Sequence, residues 1–204
     1  TLDERSRLTA AVELAALEED ILADRDAAIA AHRRVLTLDP EHGPSQAALD
    51  RLLTAAGAWR ELDELLATQQ AEIEEGSALR ATGPAVDLRF RRAELHAHRL
   101  GDLDGALDLV DEVLARQPTH AGARALLTGA LTLSTHRMRA AQALEPIYKR
   151  EQRQAELVHV LGVQLDAHRV AGDADAVFEL TVRCAELREH ELADAPGAFE
   201  LWSA

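Results

Sequence analysis

The segment LADRDAAIAAHRRVLTLDPEH (Leu22–His42) returns 78 residues later as LGDLDGALDLVDEVLARQPTH (Leu100–His120). The matching positions are two early acidic residues, an alanine, a Val-Leu pair and the closing proline and histidine: Asp24/Asp102, Asp26/Asp104, Ala28/Ala106, Val35/Val113, Leu36/Leu114, Pro40/Pro118 and His42/His120. Self-similarity at a fixed period indicates a repeat array, in which each unit buries its apolar face against its neighbours.

The repetition continues on both sides of this segment. Asp194 and Ala198 repeat the Asp-x-x-x-Ala pattern, and Ala185-Glu186-Leu187 precedes them at the spacing of Ala93-Glu94-Leu95 before Asp102. At an offset of 95 a further hairpin matches, through the pairs Leu52/Ile147, Leu53/Tyr148, Glu61/Glu156, Leu62/Leu157 and Leu66/Leu161. The change of offset from 78 to 95 indicates an insertion of 17 residues, which is room for one extra helix.

Helical spacing of apolar residues runs through almost the whole chain, so the predicted fold class is all-α. The predicted helices are 4–23, 25–38, 44–56, 58–75, 84–100, 102–116, 120–133, 136–151, 153–171, 173–192 and 195–204. Gly101-Asp102 and Gly172-Asp173 are typical of a helix end followed by the cap of the next helix. Pro146 should kink or split the helix 136–151, because proline lacks the backbone donor and clashes one turn back.

The chain is predicted to form a single array over residues 1–204. Its sub-blocks 1–76 and 84–204 are joined by loop 77–83, and an irregular insertion is expected at about 120–136. Loop 77–83 is interpreted as a long connection between repeats rather than a domain boundary, since repeats need their neighbours' contacts.

The last predicted helix carries an apolar stripe at Ala195, Ala198, Phe199 and Trp202, which should pack on a neighbour. We expect Trp202 to be only partly covered by residues 173–192. This predicts self-association through Phe199 and Trp202, or a chain that continues beyond Ala204.

Composition narrows the function classes. Hydrophobic residues make up 47 % of the chain but aromatic residues only 3 %, so the core should consist of Ala, Leu and Val. The net charge of −14 opposes binding to a phosphate backbone. Cys184 is the single cysteine, no apolar run is long enough to cross a membrane, and the chain does not start with a signal peptide, so a cytoplasmic location is the expectation.

These spacings resemble the tetratricopeptide repeat family, whose paired antiparallel helices of about 34 residues stack into a right-handed superhelix. The residues that carry the resemblance are Ala28-Ile29 with Pro40, Ala106-Leu107 with Pro118, the turn Gly101-Asp102, the small first-helix positions Ala15 and Ala93, and Gly57 to Leu62, which is similar to the turn of a variant hairpin in bacterial arrays. The first helices are one residue longer than the usual pattern. The resemblance implies an α-solenoid of stacked helical hairpins that presents a concave groove to a peptide or protein and has no cofactor.

Three patterns are weak candidates for chemistry. His190-Glu191-Leu192-Ala193-Asp194 approaches the zinc motif H-E-x-x-H, but Asp194 occupies a helix-capping position. Glu156-x-x-His159 has the spacing of a di-iron ligand pair but no second copy. Cys184 next to Ala185 is interpreted as a small buried thiol. No catalytic, metal or cofactor residue is therefore predicted.

Arg89, Arg91, Arg92 and Arg99 form the one basic concentration on this acidic chain. They are a candidate contact for an acidic partner, although pairing with nearby carboxylates within the chain is the preferred interpretation. Two functions follow from the sequence. The first is a non-enzymatic scaffold that binds a peptide or protein surface. The second is a helical regulatory or sensor segment of a larger enzyme, with a small-molecule pocket between helices.

Overall fold

The structure, a computed structural model, describes residues 3–20, 24–76 and 82–203. Within these ranges all regular structure is helical and there is no strand, which confirms the all-α fold class. The helices are α1 (Glu4–Asp20), α2 (Arg25–Leu38), α3 (Gly43–Ala56), α4 (Trp59–Gly76), α5 (Thr82–Leu95), α6 (Leu103–Arg116), α7 (Ala121–Ala130), α8 (Arg137–Arg150), α9 (Gln154–Ala171), α10 (Ala174–Glu186) and α11 (Ala195–Ser203). A turn of π-helix extends α5 over His96–Leu100, and another extends α10 over Leu187–Glu191.

The chain divides into two compact units, Thr1–Gly101 and Asp102–Ala204. The first contains α1 to α5 and the second contains α6 to α11. The predicted loop 77–83 belongs to the first unit; its residues 77–81 lie outside the described residues, and the rest begins α5. In the region of the predicted insertion, the second unit has α7 and α8 between α6 and α9, where residues 24–76 have α3 alone between α2 and α4.

One capping device begins four of the helices. An aspartate carboxylate accepts a hydrogen bond from the backbone N–H three residues later, at Asp24, Asp102, Asp173 and Asp194, over 3.0, 3.0, 3.2 and 3.0 Å. Each bond satisfies a donor that the first helical turn leaves free. Gly101 and Gly172 end the preceding helical segments in the left-handed conformation, with φ of 68° and 76°, as their sequence context predicts.

Histidine caps α3 and α7, which the sequence did not predict. His42 Nδ1 accepts from the N–H of Ser45 at 3.2 Å, and His120 Nδ1 accepts from the N–H of Ala123 at 3.0 Å. These two histidines are 78 residues apart, so the repeat preserves a local hydrogen bond as well as an apolar pattern.

The core of the first unit is built from small and aliphatic side chains. Helices α1 and α2 approach closely through a cluster of Ala11, Ala15, Ala31 and Val35. A second cluster joins α2 to α5 and contains Ala28, Ile29, Leu49, Leu52, Leu53, Leu62, Leu66 and Leu95. Because alanine has no branching, helix backbones can come close where it faces a neighbour. The predicted interior of Ala, Leu and Val is confirmed.

A buried polar network also ties together the first three helices. The ring of His32 on α2 is within 3.1 Å of the Ser45 hydroxyl on α3 and 3.2 Å of the Glu19 carboxylate on α1. Arg51 of α3 forms an ion pair with the same carboxylate. The hydrogen bond from Arg51 lowers the pKa of Glu19, so this group stays ionised at neutral pH.

The second unit has its own aliphatic core and its own polar connections. The fully buried side chains include Leu107, Val110, Val113, Leu127, Leu144, Val160 and Leu161. Glu145 of α8 accepts from Gln164 of α9 at 2.8 Å and from Arg183 of α10 at 2.5 Å, which links three helices. Arg139 of α8 donates to two carboxylates of α6, Asp108 and Asp111, at 2.6 and 2.8 Å.

The prediction that Pro146 splits its helix is wrong, since α8 is assigned without interruption from Arg137 to Arg150 with Pro146 inside it. Proline removes the hydrogen bond to the carbonyl of Gln142. Both Pro146 and Gln142 are exposed, so water can bind that carbonyl. The buried residues Leu144 and Ile147 on either side hold the helix in its packing position.

Candidate interaction site

The four arginines predicted from the sequence lie on α5 and the π turn that follows it, within the first unit. Arg89 is 3 % exposed, and its Nη2 donates to Glu74 of α4 at 2.7 Å. Arg91 binds Asp50 of α3 through both terminal nitrogens, one of them at 2.6 Å. Hydrogen bonding to Asp50 raises the pKa of Arg91 above its ordinary value. A bidentate pair of this kind fixes the orientation of both side chains.

Arg92 anchors α5 to α4 in the same way. Its Nε donates to Asp63 at 2.8 Å, and one terminal nitrogen donates to Gln70 at 3.3 Å. His96, the first residue of the π turn, is 3.2 Å from the other oxygen of Asp63. Burial raises the pKa of Asp63, but the hydrogen bonds from Arg92 and His96 outweigh it, and the pKa lies below the usual value. The intramolecular pairing that the sequence favoured therefore occupies Arg89, Arg91 and Arg92.

Arg99 is placed differently from the other three arginines. Its guanidinium lies over the ring of Trp59, 4.9 Å from the centroid, which is within the range of a cation–π interaction. Trp59 begins α4 directly after the left-handed turn at Gly57, with φ of 68°. The side chain of Arg99 is exposed and that of Trp59 is partly exposed, so the pair is accessible from solvent.

The Trp59–Arg99 pair borders a groove of about 240 Å³ formed by the end of α3, α4 and α5 with its π turn. We name it the Trp59 groove. Its lining consists of Thr54, Trp59, Leu62, Leu66, Arg91, Glu94, Leu95, His98 and Arg99. Three buried leucines form the floor, and the exposed charged and polar side chains of α5 and the π turn form the rim.

Sequence reasoning found two of these rim residues, Arg91 and Arg99, and missed Trp59, Glu94 and His98. The signal was present in the spacing of α5, where residues 91, 95 and 98 follow the four- and three-residue steps of one helix face. The π turn was not predicted. A π turn accommodates one additional residue in a helix, and both α5 and α10 are among the first helices that the sequence makes one residue longer than the usual repeat.

A larger groove of about 460 Å³ lies between α2, α3 and α4 of the same unit. We name it the α2–α4 groove. Its lining consists of Arg33, Leu36, Thr37, Leu49, Leu53, Glu61, Glu64, Leu65 and Thr68. Arg33 and Glu61 form an ion pair at its edge, and the buried Leu49 and Leu53 form its floor.

The residues of the zinc-like motif have other positions. Asp194 accepts from the N–H of Gly197 at 3.0 Å and from Arg188 at 3.0 Å, as the cap of α11. His190 and Glu191 are exposed on the π turn. In the part of the chain that the structure describes, no three His, Cys, Asp or Glu side chains form a group that could hold a metal ion.

The two remaining chemical candidates are also accounted for. Cys184 is 1 % exposed, and burial raises the pKa of its thiol, so the predicted buried thiol is confirmed. Glu156 pairs with Arg153 at 2.6 Å, and His159 is exposed on the same helix.

The C-terminal helix presents its aromatic side chains to solvent. Phe199 is 72 % exposed and Trp202 is 51 % exposed, while Ala198 on the same helix is 2 % exposed. The prediction that Trp202 is only partly covered is confirmed.

Comparison with models of known protein families gives no match, and comparison with curated proteins gives none. Among the helices that the structure describes, none combines the length and apolar character needed to cross a membrane.

Proposed function

We propose that this chain is a non-enzymatic protein-interaction scaffold, built as an α-solenoid of tetratricopeptide type, in the cytoplasm. The observation that carries the proposal is a helix junction that recurs three times, with Asp24, Asp102 and Asp194 as caps bonded in the same way. Recurrent junctions support a repeat array, and such arrays present extended surfaces to protein partners. The charge of −14 favours a protein over a nucleic acid as the partner.

The Trp59 groove is the part of the first unit best suited to bind a peptide. Tryptophan and arginine dominate binding energy at protein interfaces, and Trp59 and Arg99 are already held in contact. Arg91 is bonded to Asp50, whereas the guanidinium of Arg99 faces an aromatic ring and can accept a carboxylate on its outer side. The expected ligand is a peptide with an acidic residue next to an apolar one, the latter resting on the leucine floor.

Peptide selection by phage display against the whole chain tests this proposal. Selected peptides should combine an acidic and an apolar residue, and their affinity should fall by about tenfold or more in Trp59→Ala and in Arg99→Ala. Arg34→Ala is the matched control, because Arg34 is an exposed arginine of the same unit outside the groove. Circular dichroism of each variant checks the fold. Peptides that bind Trp59→Ala as well as the unaltered chain would contradict the proposal.

The α2–α4 groove favours a second candidate function, a regulatory or sensor segment of a larger enzyme that binds a small molecule. Its volume of about 460 Å³ falls in the range of small-molecule sites, and its apolar floor with a few polar groups is typical of them. A metabolite that shifts the melting temperature of the chain, and fails to do so in Leu65→Trp, which fills the groove, would favour this function.

A further inference from the structure

The α11 face, which we define as Phe199 and Trp202 together with the exposed carboxylate Glu189 before the cap, is unlike its counterparts elsewhere in the chain. Counted from the capping aspartate, the fifth and eighth residues are Ile29 and His32 in α2, Leu107 and Val110 in α6, and Phe199 and Trp202 in α11. The first two pairs are 9 %, 8 %, 0 % and 0 % exposed. The third pair is 72 % and 51 % exposed.

The first unit shows what covers these positions. Ile29 packs in one cluster with Leu49, Leu52 and Leu53 of α3, and His32 is 3.1 Å from the hydroxyl of Ser45 on the same helix. The cover is therefore one amphipathic helix, with apolar residues at i, i+3 and i+4 of its buried face.

Charge at the edge of this contact repeats as well. Glu19 lies five residues before the cap Asp24 and forms an ion pair with Arg51, which lies between Leu49 and Leu52 on the covering helix. Glu189 lies five residues before the cap Asp194 and is exposed. The closing hydrogen bond of the junction is the same in both places, since the N–H of each cap donates to the carbonyl six residues earlier, at 3.2 and 2.8 Å.

We propose that the α11 face binds an amphipathic helix of a partner protein, in the way that α3 packs on α1 and α2. The partner helix carries apolar residues spaced like Leu49, Leu52 and Leu53, and a basic residue at the position of Arg51 that pairs with Glu189. Exposed Glu179 and Glu200 on α10 and α11 add negative charge to these two helices. That charge complements a basic helix and opposes a second copy of this acidic chain. The proposal is independent of the Trp59 groove.

The probe is a fluorescein-labelled synthetic peptide with the sequence of residues 41–58, which contains α3. Its anisotropy is titrated with the whole chain. We expect saturable binding that weakens about tenfold or more in the double variant Phe199→Ser, Trp202→Ser. Val170→Ser is the matched control, because Val170 is an exposed apolar residue of α9, 89 % exposed and outside the α11 face. It should leave binding unchanged.

A charge exchange separates specific docking from general adhesion to aromatic side chains. Glu189→Arg should weaken binding of the unaltered peptide, and a peptide carrying Arg51→Glu should regain affinity for that variant. Absence of saturable binding, or binding that the double variant retains, would overturn the proposal. So would a dimer in sedimentation equilibrium that the double variant converts to monomer, because the face would then belong to a second copy. Loss of groove binding in Trp59→Ala has no bearing on these outcomes, so the two proposals fail separately.

Discussion

The two units end equivalent helices with the same hydrogen bonds but with different residues. Gly57 follows α3 and Gln152 follows α8, and both are left-handed, with φ of 68° and 57°. In both turns the next residue donates its N–H to a carbonyl five residues earlier at 3.0 Å. The same difference recurs after the π turns, where the first unit has Gly101 and the second has Ala193, with φ of 68° and 52°.

This comparison separates the cause of a turn from the cost of making it. A residue with a Cβ pays roughly 1–2 kcal/mol to adopt the left-handed conformation, and glycine does not. Since Gln152 and Ala193 adopt it nevertheless, the packing of the flanking helices imposes the turn, and glycine only lowers its cost. The second unit thus carries backbone strain that the first avoids, and its unfolding should require less free energy per junction.

The largest expected effect is loss of core packing, which should be equal in the two units. Leu66 of α4 and Leu161 of α9 occupy equivalent positions, and both are 0 % exposed. Leu66→Ala and Leu161→Ala should each lower the free energy of unfolding by about 2–5 kcal/mol, because each leaves a cavity as well as removing buried methyl groups. Urea denaturation measures both. Leu133→Ala, at a side chain that is 45 % exposed, is the control and should change little.

If only one of the two core variants were destabilised, the equivalence of the units would be refuted at its strongest point. Equal losses would show that the units share their packing and differ only in their turns.

A smaller effect is expected where the cap of α11 presses against a glycine. A Cβ added at Gly197 would collide with the Asp194 carboxylate and the Arg188 guanidinium. Gly197→Ala should therefore displace the cap and cost about 1–2 kcal/mol of unfolding free energy. Gly162→Ala is the matched control, because nothing lies within 4 Å of a Cβ at that position inside α9. It should stabilise by about 0.5–1 kcal/mol. Thermal denaturation in which both variants move in the same direction would contradict this account.

The turns themselves provide the next test. Gly101→Ala should destabilise by about 1–2 kcal/mol, since alanine must then adopt the left-handed conformation. Ala193→Gly should relieve the same strain in the second unit and stabilise by up to about 1 kcal/mol, the gain being reduced by the greater entropy of glycine in the unfolded chain. Chemical denaturation of both variants measures the pair. A destabilised Ala193→Gly would mean that Ala193 is not strained.

The sequence predicted the features that a few neighbouring residues determine. The caps at Asp24, Asp102 and Asp194 were predicted because an aspartate before an apolar helical run satisfies donors within its own turn. Helix bounds followed from the same local rules and from glycine, as at Gly101. The sequence was also sufficient to assign the arginines of α5 to intramolecular pairs, because the acidic residues around them are close in the array.

Features that depend on packing were not predicted. Proline propensity alone broke the helix at Pro146, whereas buried neighbours on both sides keep it whole. The left-handed Gln152 has no local signal, because it is imposed by the helices on either side. The Trp59 groove joins residues about 40 positions apart, such as Trp59 and Arg99, which no spacing rule connects. The α11 face became visible only when burial was compared across the three junctions.

The smallest expected effect is a pH dependence that each unit should show through one partly buried carboxylate. Burial raises the pKa of Glu145, but hydrogen bonds from Arg183 and Gln164 outweigh it, and the pKa lies below 4.5. Asp63 in the first unit has the same balance with Arg92, and its pKa lies below 3.8. A lowered pKa in the folded state contributes stability that is present above the unfolded value and is lost as the pH falls through the folded value.

Glu145→Gln should therefore lose stability relative to the unaltered chain at pH 7, and the difference should shrink as the pH falls below about 4.5. Asp63→Asn should behave alike, with its window shifted lower because an aspartate starts from a lower pKa. Both ion pairs are partly exposed, with Glu145 at 21 % and Asp63 at 18 % side-chain exposure, so solvent screening should keep each contribution near about 1 kcal/mol or less. Unfolding free energies measured from pH 3 to pH 7 test this. A difference between variant and unaltered chain that stayed constant with pH would mean that these carboxylates hold their helices by shape and hydrogen bonding rather than by charge.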